Sequence, residues 1–125
     1  MKEPIEPGVR RFLANAVPSV PYLGAALLLL TEPEAAWDAQ RMSARRYVSP
    51  KAALELLKAL CQAQLAMADE ALQAFRCTSE PATLELLRAV ARTYASHLLE
   101  ATSLIHGRVD DRAKRFADAF KFKKD

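Results

Sequence analysis

Between Pro81 and Gly107 the chain carries neither a proline nor another glycine, and Ser79-Glu80-Pro81 supplies a clear helix start. The spacing predicts one uninterrupted helix from Pro81 to His106, roughly 39 Å long at about 1.5 Å per residue. The whole chain has 125 residues, enough for one domain with a core of ordinary size. A rod of that length is more than so small a domain can cover. Its apolar positions Leu84, Leu87, Ala91, Tyr94, Leu98, Ala101 and Ile105 recur three and four apart, a coiled-coil spacing, with Leu86, Val90, Leu99 and Leu104 beside them. Two arrangements satisfy this stripe: a homodimer that pairs the seven positions with a second copy, which is the expectation here, or a central core helix in a monomer.

Alanine and leucine make up 42 of the 125 residues, so the remaining segments should also be mostly helical. The three glycines, Gly8, Gly24 and Gly107, cannot form a dinucleotide-binding turn or a phosphate-cradling loop, which excludes nucleotide enzymes of those two kinds. Cys61, Cys77, His97 and His106 lack the close pairs of a structural zinc site, so neither a metal nor another cofactor is expected. The two cysteines read as buried free thiols, which agrees with a cytoplasmic protein. The most apolar run, Val20 to Leu30, is about 11 residues long where a membrane span needs roughly 20, so it reads as a buried helix. Lys2, Glu3 and Glu6 give no basic leader of a secretory kind.

The punctuation of the chain divides it into a flexible N-terminal arm over residues 1–8, a helix-turn-helix with a hairpin over 9–78, and the long helix with a C-terminal tail over 79–125. A short helix is expected from Val9 to about Val17, and Pro18 ends it. A second follows the cap candidate Ser19, with Leu23, Leu27, Leu28 and Leu30 on its apolar face, and runs to about Thr31. Asp38 can cap a third from Ala39 to about Tyr47, with Met42 and Ala39 inward and Arg41, Arg45 and Arg46 outward. Ser49 and Pro50 then open a fourth helix with Leu54, Leu57, Leu60 and Cys61 as its buried stripe. Two helices meeting across so tight a junction form a helix-turn-helix. After about Ala63 the pattern shifts towards alternation on either side of Asp69-Glu70-Ala71, which reads as a hairpin, with a continued alanine-rich helix as the other possibility.

Formal charge is +3 in total and unevenly placed: −1 over 1–37, +3 over 38–62, −2 over 63–107 and +3 over 108–125. The basic segment coincides with the helix-turn-helix, and a polyanion is its natural partner. In that arrangement the fourth helix enters a major groove of double-stranded DNA, its N-terminal residues nearest the base edges. Ser49, Lys51, Ala52, Glu55 and Lys58 then lie on the groove face, Arg41, Arg45 and Arg46 on phosphates, and Arg76 of the hairpin on the neighbouring backbone. Lys121, Lys123 and Lys124 are either a solvated tail or a further phosphate-contacting element. No catalytic constellation emerges. Ser96 and His97 are neighbours on the expected long helix, where adjacent side chains point about 100° apart, so they do not read as a nucleophile and its base.

Ser19-Val20, Leu23, Leu27 to Leu30, Pro33 and Trp37, the capped helix at Ser49, and the closing Phe116-Ala117-Asp118-Ala119-Phe120 with Lys124-Asp125 together resemble a small bacterial group of MarR-like winged-helix transcriptional regulators. The resemblance runs over nearly the whole chain and implies a dimeric DNA-binding fold. Against a DNA-contacting wing stand the acidic tip Asp69-Glu70, Ala63-Gln64 where a glycine would lead into the hairpin, and Glu55 on the groove face. These features support a second reading, a non-enzymatic interaction module that docks a partner protein through the long helix and Phe116, Phe120 and Phe122. The residues mark no small-molecule effector site.

Overall fold

The structure is a computed structural model that describes residues 4–107. Its elements are α1 (Pro7–Asn15), α2 (Val20–Thr31), α3 (Ala39–Arg46), α4 (Pro50–Gln62), β1 (Ala66–Asp69), β2 (Ala74–Cys77) and α5 (Pro81–Ser96). A last helical segment, α6, covers 98–107. The described residues are thus mainly helical with one small antiparallel hairpin. The expected C-terminal helix from Val109, with Phe116, Phe120, Phe122 and the lysines at 121, 123 and 124, lies outside the described residues.

Two compact units divide the fold. One is Pro21–Ala91, which holds the α3–α4 pair and the hairpin; the other joins the residues up to Val20 with those from Arg92 onward. The second of these units buries Ile5, Val9, Leu13 and Val17 along α1 and the segments flanking it, and Ala101 and Ile105 along α6. An ion pair of 2.7 Å between Arg10 and Glu100 links α1 to α6. The segment expected as a flexible arm already carries the buried Ile5, and α1 begins at Pro7, because a proline at the first turn of a helix gives up no hydrogen bond and has its φ preset.

The long helix is not continuous. The helical pattern is interrupted at His97, leaving α5 and α6 as separate segments, although neither proline nor glycine is present there. The Ser96 hydroxyl donates to the carbonyl oxygen of Arg92 at 2.9 Å, a back-bond that competes with the helical ladder and bends helices. The backbone bonds His97 N–H to Thr93 O and Ala101 N–H to His97 O persist on either side. The expected helix from Pro81 to His106 is thus found as two segments, α5 and α6. Ser96 Oγ and His97 Nδ1, expected to diverge, are 2.8 Å apart.

Within Pro21–Ala91, sequence and structure agree closely on α3 and α4. Asp38 Oδ1 accepts from Arg41 N–H at 2.8 Å, and Ser49 Oγ accepts from Ala52 N–H at 3.1 Å, so each helix has the cap its sequence offers. Met42 of α3 and Ala53, Leu57 and Leu60 of α4 are fully buried. The buried stripe of α4 leans towards Ala53, leaving Leu54 and Cys61 half-buried. In α2, Tyr22, Leu23, Ala25, Ala26 and Leu29 are buried while Leu27, Leu28 and Leu30 are only half-buried. That helix is apolar on all sides, so spacing could not select its inner face.

The hairpin pairs Ala66 with Cys77, Met67 with Arg76, Ala68 with Phe75 and Asp69 with Ala74. A feature that local sequence patterns do not reveal extends this small sheet. Trp37 forms an antiparallel bridge to Phe75, with N–H···O distances of 2.7 and 2.8 Å in the two directions. The hydrophobicity of a lone, wholly buried tryptophan signals the core, but a one-residue bridge has no periodicity to detect.

Candidate nucleic-acid interface

The residues expected to contact DNA fall into two groups. Lys51, Glu55 and Lys58 are exposed on one face of α4, with Ala52 half-buried beside them and Ser49 exposed at its start. Neither lysine makes an ion pair among the described residues. This face presents two cations around one carboxylate.

The arginines are held by the fold instead. Arg41 lies over the Trp37 ring, 4.0 Å from its centroid, donates to Ala36 O at 3.1 Å and reaches Glu32 at 3.2 Å. Arg45 is 3.7 Å from the same Glu32 carboxylate and 5.7 Å from the Trp37 centroid. A cation above an aromatic face is attracted by the ring quadrupole, so the two guanidiniums cover Trp37 and share one acid. Arg46 turns back onto α2, where its guanidinium occupies the space a β-carbon at Gly24 would fill. Its Nε is buried without a hydrogen-bond partner among the described residues, as is the indole N–H of Trp37. The outward orientation expected of all three arginines is therefore corrected: Arg41 and Arg46 are half-buried and only Arg45 is exposed.

Arg76 is likewise engaged. Its Nη1 donates to Glu34 O at 3.1 Å and its Nε is 3.4 Å from Asp69 Oδ2. One hairpin residue thus neutralises part of the acidic tip and ties the hairpin to the loop after α2. At that tip the Asp69 carboxylate accepts from Leu72 N–H at 3.2 Å, and Leu72 stands 57% exposed.

At the root of the hairpin, within the same unit, a cleft of about 550 Å³ is lined by Leu30, Met67, Cys77, Thr78, Leu84 and Arg88 among others. Burial pushes the Cys77 thiol up, partly offset by the nearby Arg88 charge and the Thr78 N–H, so it is held as a thiol. Both cysteines are free. No group of His, Cys, Asp and Glu among the described residues is arranged to hold a metal ion, and no helix among them is long and apolar enough to cross a membrane. In the other unit, Ser96 Oγ donates to Arg92 O at 2.9 Å and lies 2.8 Å from His97 Nδ1.

The stripe expected to pair two copies is dispersed. Leu87, Ala101 and Ile105 are wholly buried within the chain itself; Leu84, Ala91 and Tyr94 are half-buried; Leu98 is 50% exposed. Leu99, beside the stripe, is 84% exposed. No family model, curated protein or solved structure matches this chain.

Proposed function

We propose that the chain is a non-catalytic, duplex-DNA-binding protein of the winged helix-turn-helix type, acting in transcription regulation as a homodimer. The observation that carries the reading is the order of Pro21–Ala91: a helix, the Trp37 bridge, the capped α3–α4 pair across a three-residue junction, then a hairpin whose second strand receives the bridge. In this reading α4 enters the major groove, with Lys51 and Lys58 supplying phosphate contacts. Arg41, Arg45 and Arg76 brace the scaffold behind it. The exposed Leu98 and Leu99 are the positions best suited to pairing two copies, and a dimeric protein of this type reads two half-sites about 34 Å apart.

The same two leucines, with the acidic hairpin tip, favour a second reading as a protein-interaction module without a DNA ligand. Fluorescence anisotropy of a labelled duplex at increasing salt separates the two. The DNA reading predicts a dissociation constant of about 10⁻⁴ to 10⁻⁶ M or tighter that weakens steeply with salt. Lys51→Ala/Lys58→Ala should weaken binding and lower the logarithmic salt slope by about 1.8, roughly 0.9 for each phosphate no longer neutralised. Leu99→Asp should weaken only binding to a duplex long enough for two copies. Absence of binding by the unaltered chain at low salt would leave the interaction module as the better account.

A further inference from the structure

Among the described residues, three other than glycine occupy the left-handed backbone region: Tyr47 at φ 55°, Gln64 at φ 64° and Gln73 at φ 49°. Gln64 closes α4, donating to Cys61 O at 3.0 Å while Leu65 donates to Leu60 O at 2.9 Å, the paired bonds of a helix end that usually carries glycine. Gln73 ends the hairpin loop, donating to Glu70 O at 3.2 Å. Both are polar residues at points where the chain must reverse.

Tyr47 differs in its side chain. It is 94% exposed, the most exposed large hydrophobic among the described residues, so its ring covers none of the core. The turn around it is tightly held: its own N–H and that of Val48 both donate to Ser43 O, and the Ser43 hydroxyl donates to Val48 O. A bulky side chain in this region costs free energy that glycine would avoid, and strain kept without a packing return points to a use of the side chain. The location supplies one. Tyr47 stands at the junction of α3 and α4, two residues before the Ser49 cap and four before the exposed Lys51.

We infer that Tyr47 is a DNA-contacting residue of the α3–α4 junction, its phenol donating a hydrogen bond to a backbone phosphate and so setting the depth and register of α4 in the groove. This rests on the proposed DNA-binding function. Hydroxyl-to-phosphate contacts of this kind position a protein without reading sequence. Neither charge nor helix spacing singles out Tyr47 in the sequence, since an aromatic at a helix end signals neither.

The test compares the full-length chain with Tyr47→Phe and Tyr47→Gly by duplex anisotropy over a salt series and by thermal melting. Tyr47→Phe should lose about three- to tenfold in affinity, the worth of one such hydrogen bond. Its logarithmic salt slope should stay unchanged, because no charge is removed. Tyr47→Gly should bind at least as weakly while Tm rises by about 3–6 °C as the backbone cost is relieved. If the unaltered chain binds with a steep salt dependence and Tyr47→Phe binds equally well, the inference fails and the DNA reading stands. If the unaltered chain does not bind duplex, both fail. A fall in Tm for Tyr47→Gly would overturn the argument from strain.

Discussion

Arg46 lies over Gly24 of α2 with its Nε out of water and unpaired among the described residues. Charge alone assigns such an arginine to a phosphate; its surroundings assign it to packing. The long aliphatic stem lets a basic residue fill space beside an apolar helix, and the missing β-carbon at Gly24 makes the room. The two positions should therefore be coupled. Replacing Gly24 by alanine in a helix interior ordinarily stabilises by up to about 1 kcal/mol. In an Arg46→Ala background Gly24→Ala should show that gain, and in the natural background the gain should shrink or reverse because the guanidinium must move. Urea unfolding of the four proteins of the cycle gives the coupling; additive effects would contradict the packing of Arg46 on Gly24. Glu32 shows the same principle for the other two arginines, since one carboxylate holds both Arg41 and Arg45. These engagements were invisible in the sequence because Glu32 and Trp37 lie outside the helix that carries the arginines, and no local pattern reports which acid a basic helix will meet.

At the scale of elements, the legible features were those with local chemistry. Ser49-Pro50 and Asp38 mark their helix starts through side-chain acceptors and a preset φ, and both starts are found where the residues place them. The hairpin followed from alternation, although its register needs the tertiary pairing to define it. The interruption at His97 was not legible, since it rests on side-chain bonds of Ser96 that a helical pattern does not exclude. The start of α5 allows a quantitative test. Glu80 accepts from Ala82 N–H at 3.1 Å and from the Thr83 N–H and hydroxyl at 2.7 Å each, and these bonds, the Thr83 hydroxyl first, lower its carboxyl below the usual range. A depressed native value means a contribution present above the ordinary glutamate range near pH 4.3 and lost as pH falls through the native value. Glu80→Gln should thus melt below the unaltered chain at pH 7, and the gap in Tm should close on acidification below about pH 4. A gap independent of pH would mean that the ionised cap is not what stabilises α5.

For the whole molecule, the proposed function rests on the element order, with Trp37 bridging β2 beside the α3–α4 pair. The structure reassigns the charge. Of the five cations of segment 38–62, Arg41 and Arg45 lie by Trp37 and Glu32 and Arg46 fills the space at Gly24, while Lys51 and Lys58 stand exposed without an ion pair among the described residues. Tyr47 joins the proposed surface from outside the charge pattern. Of the seven-residue stripe expected to pair two copies, Leu98 alone is exposed, with the exposed Leu99 beside it. The most direct test is amide NMR of the full chain titrated with duplex DNA at low salt. The account predicts shifts concentrated at Tyr47, Ser49, Lys51, Glu55 and Lys58, reversed by added salt; shifts absent from this face, or confined to Leu98 and Leu99, would contradict it.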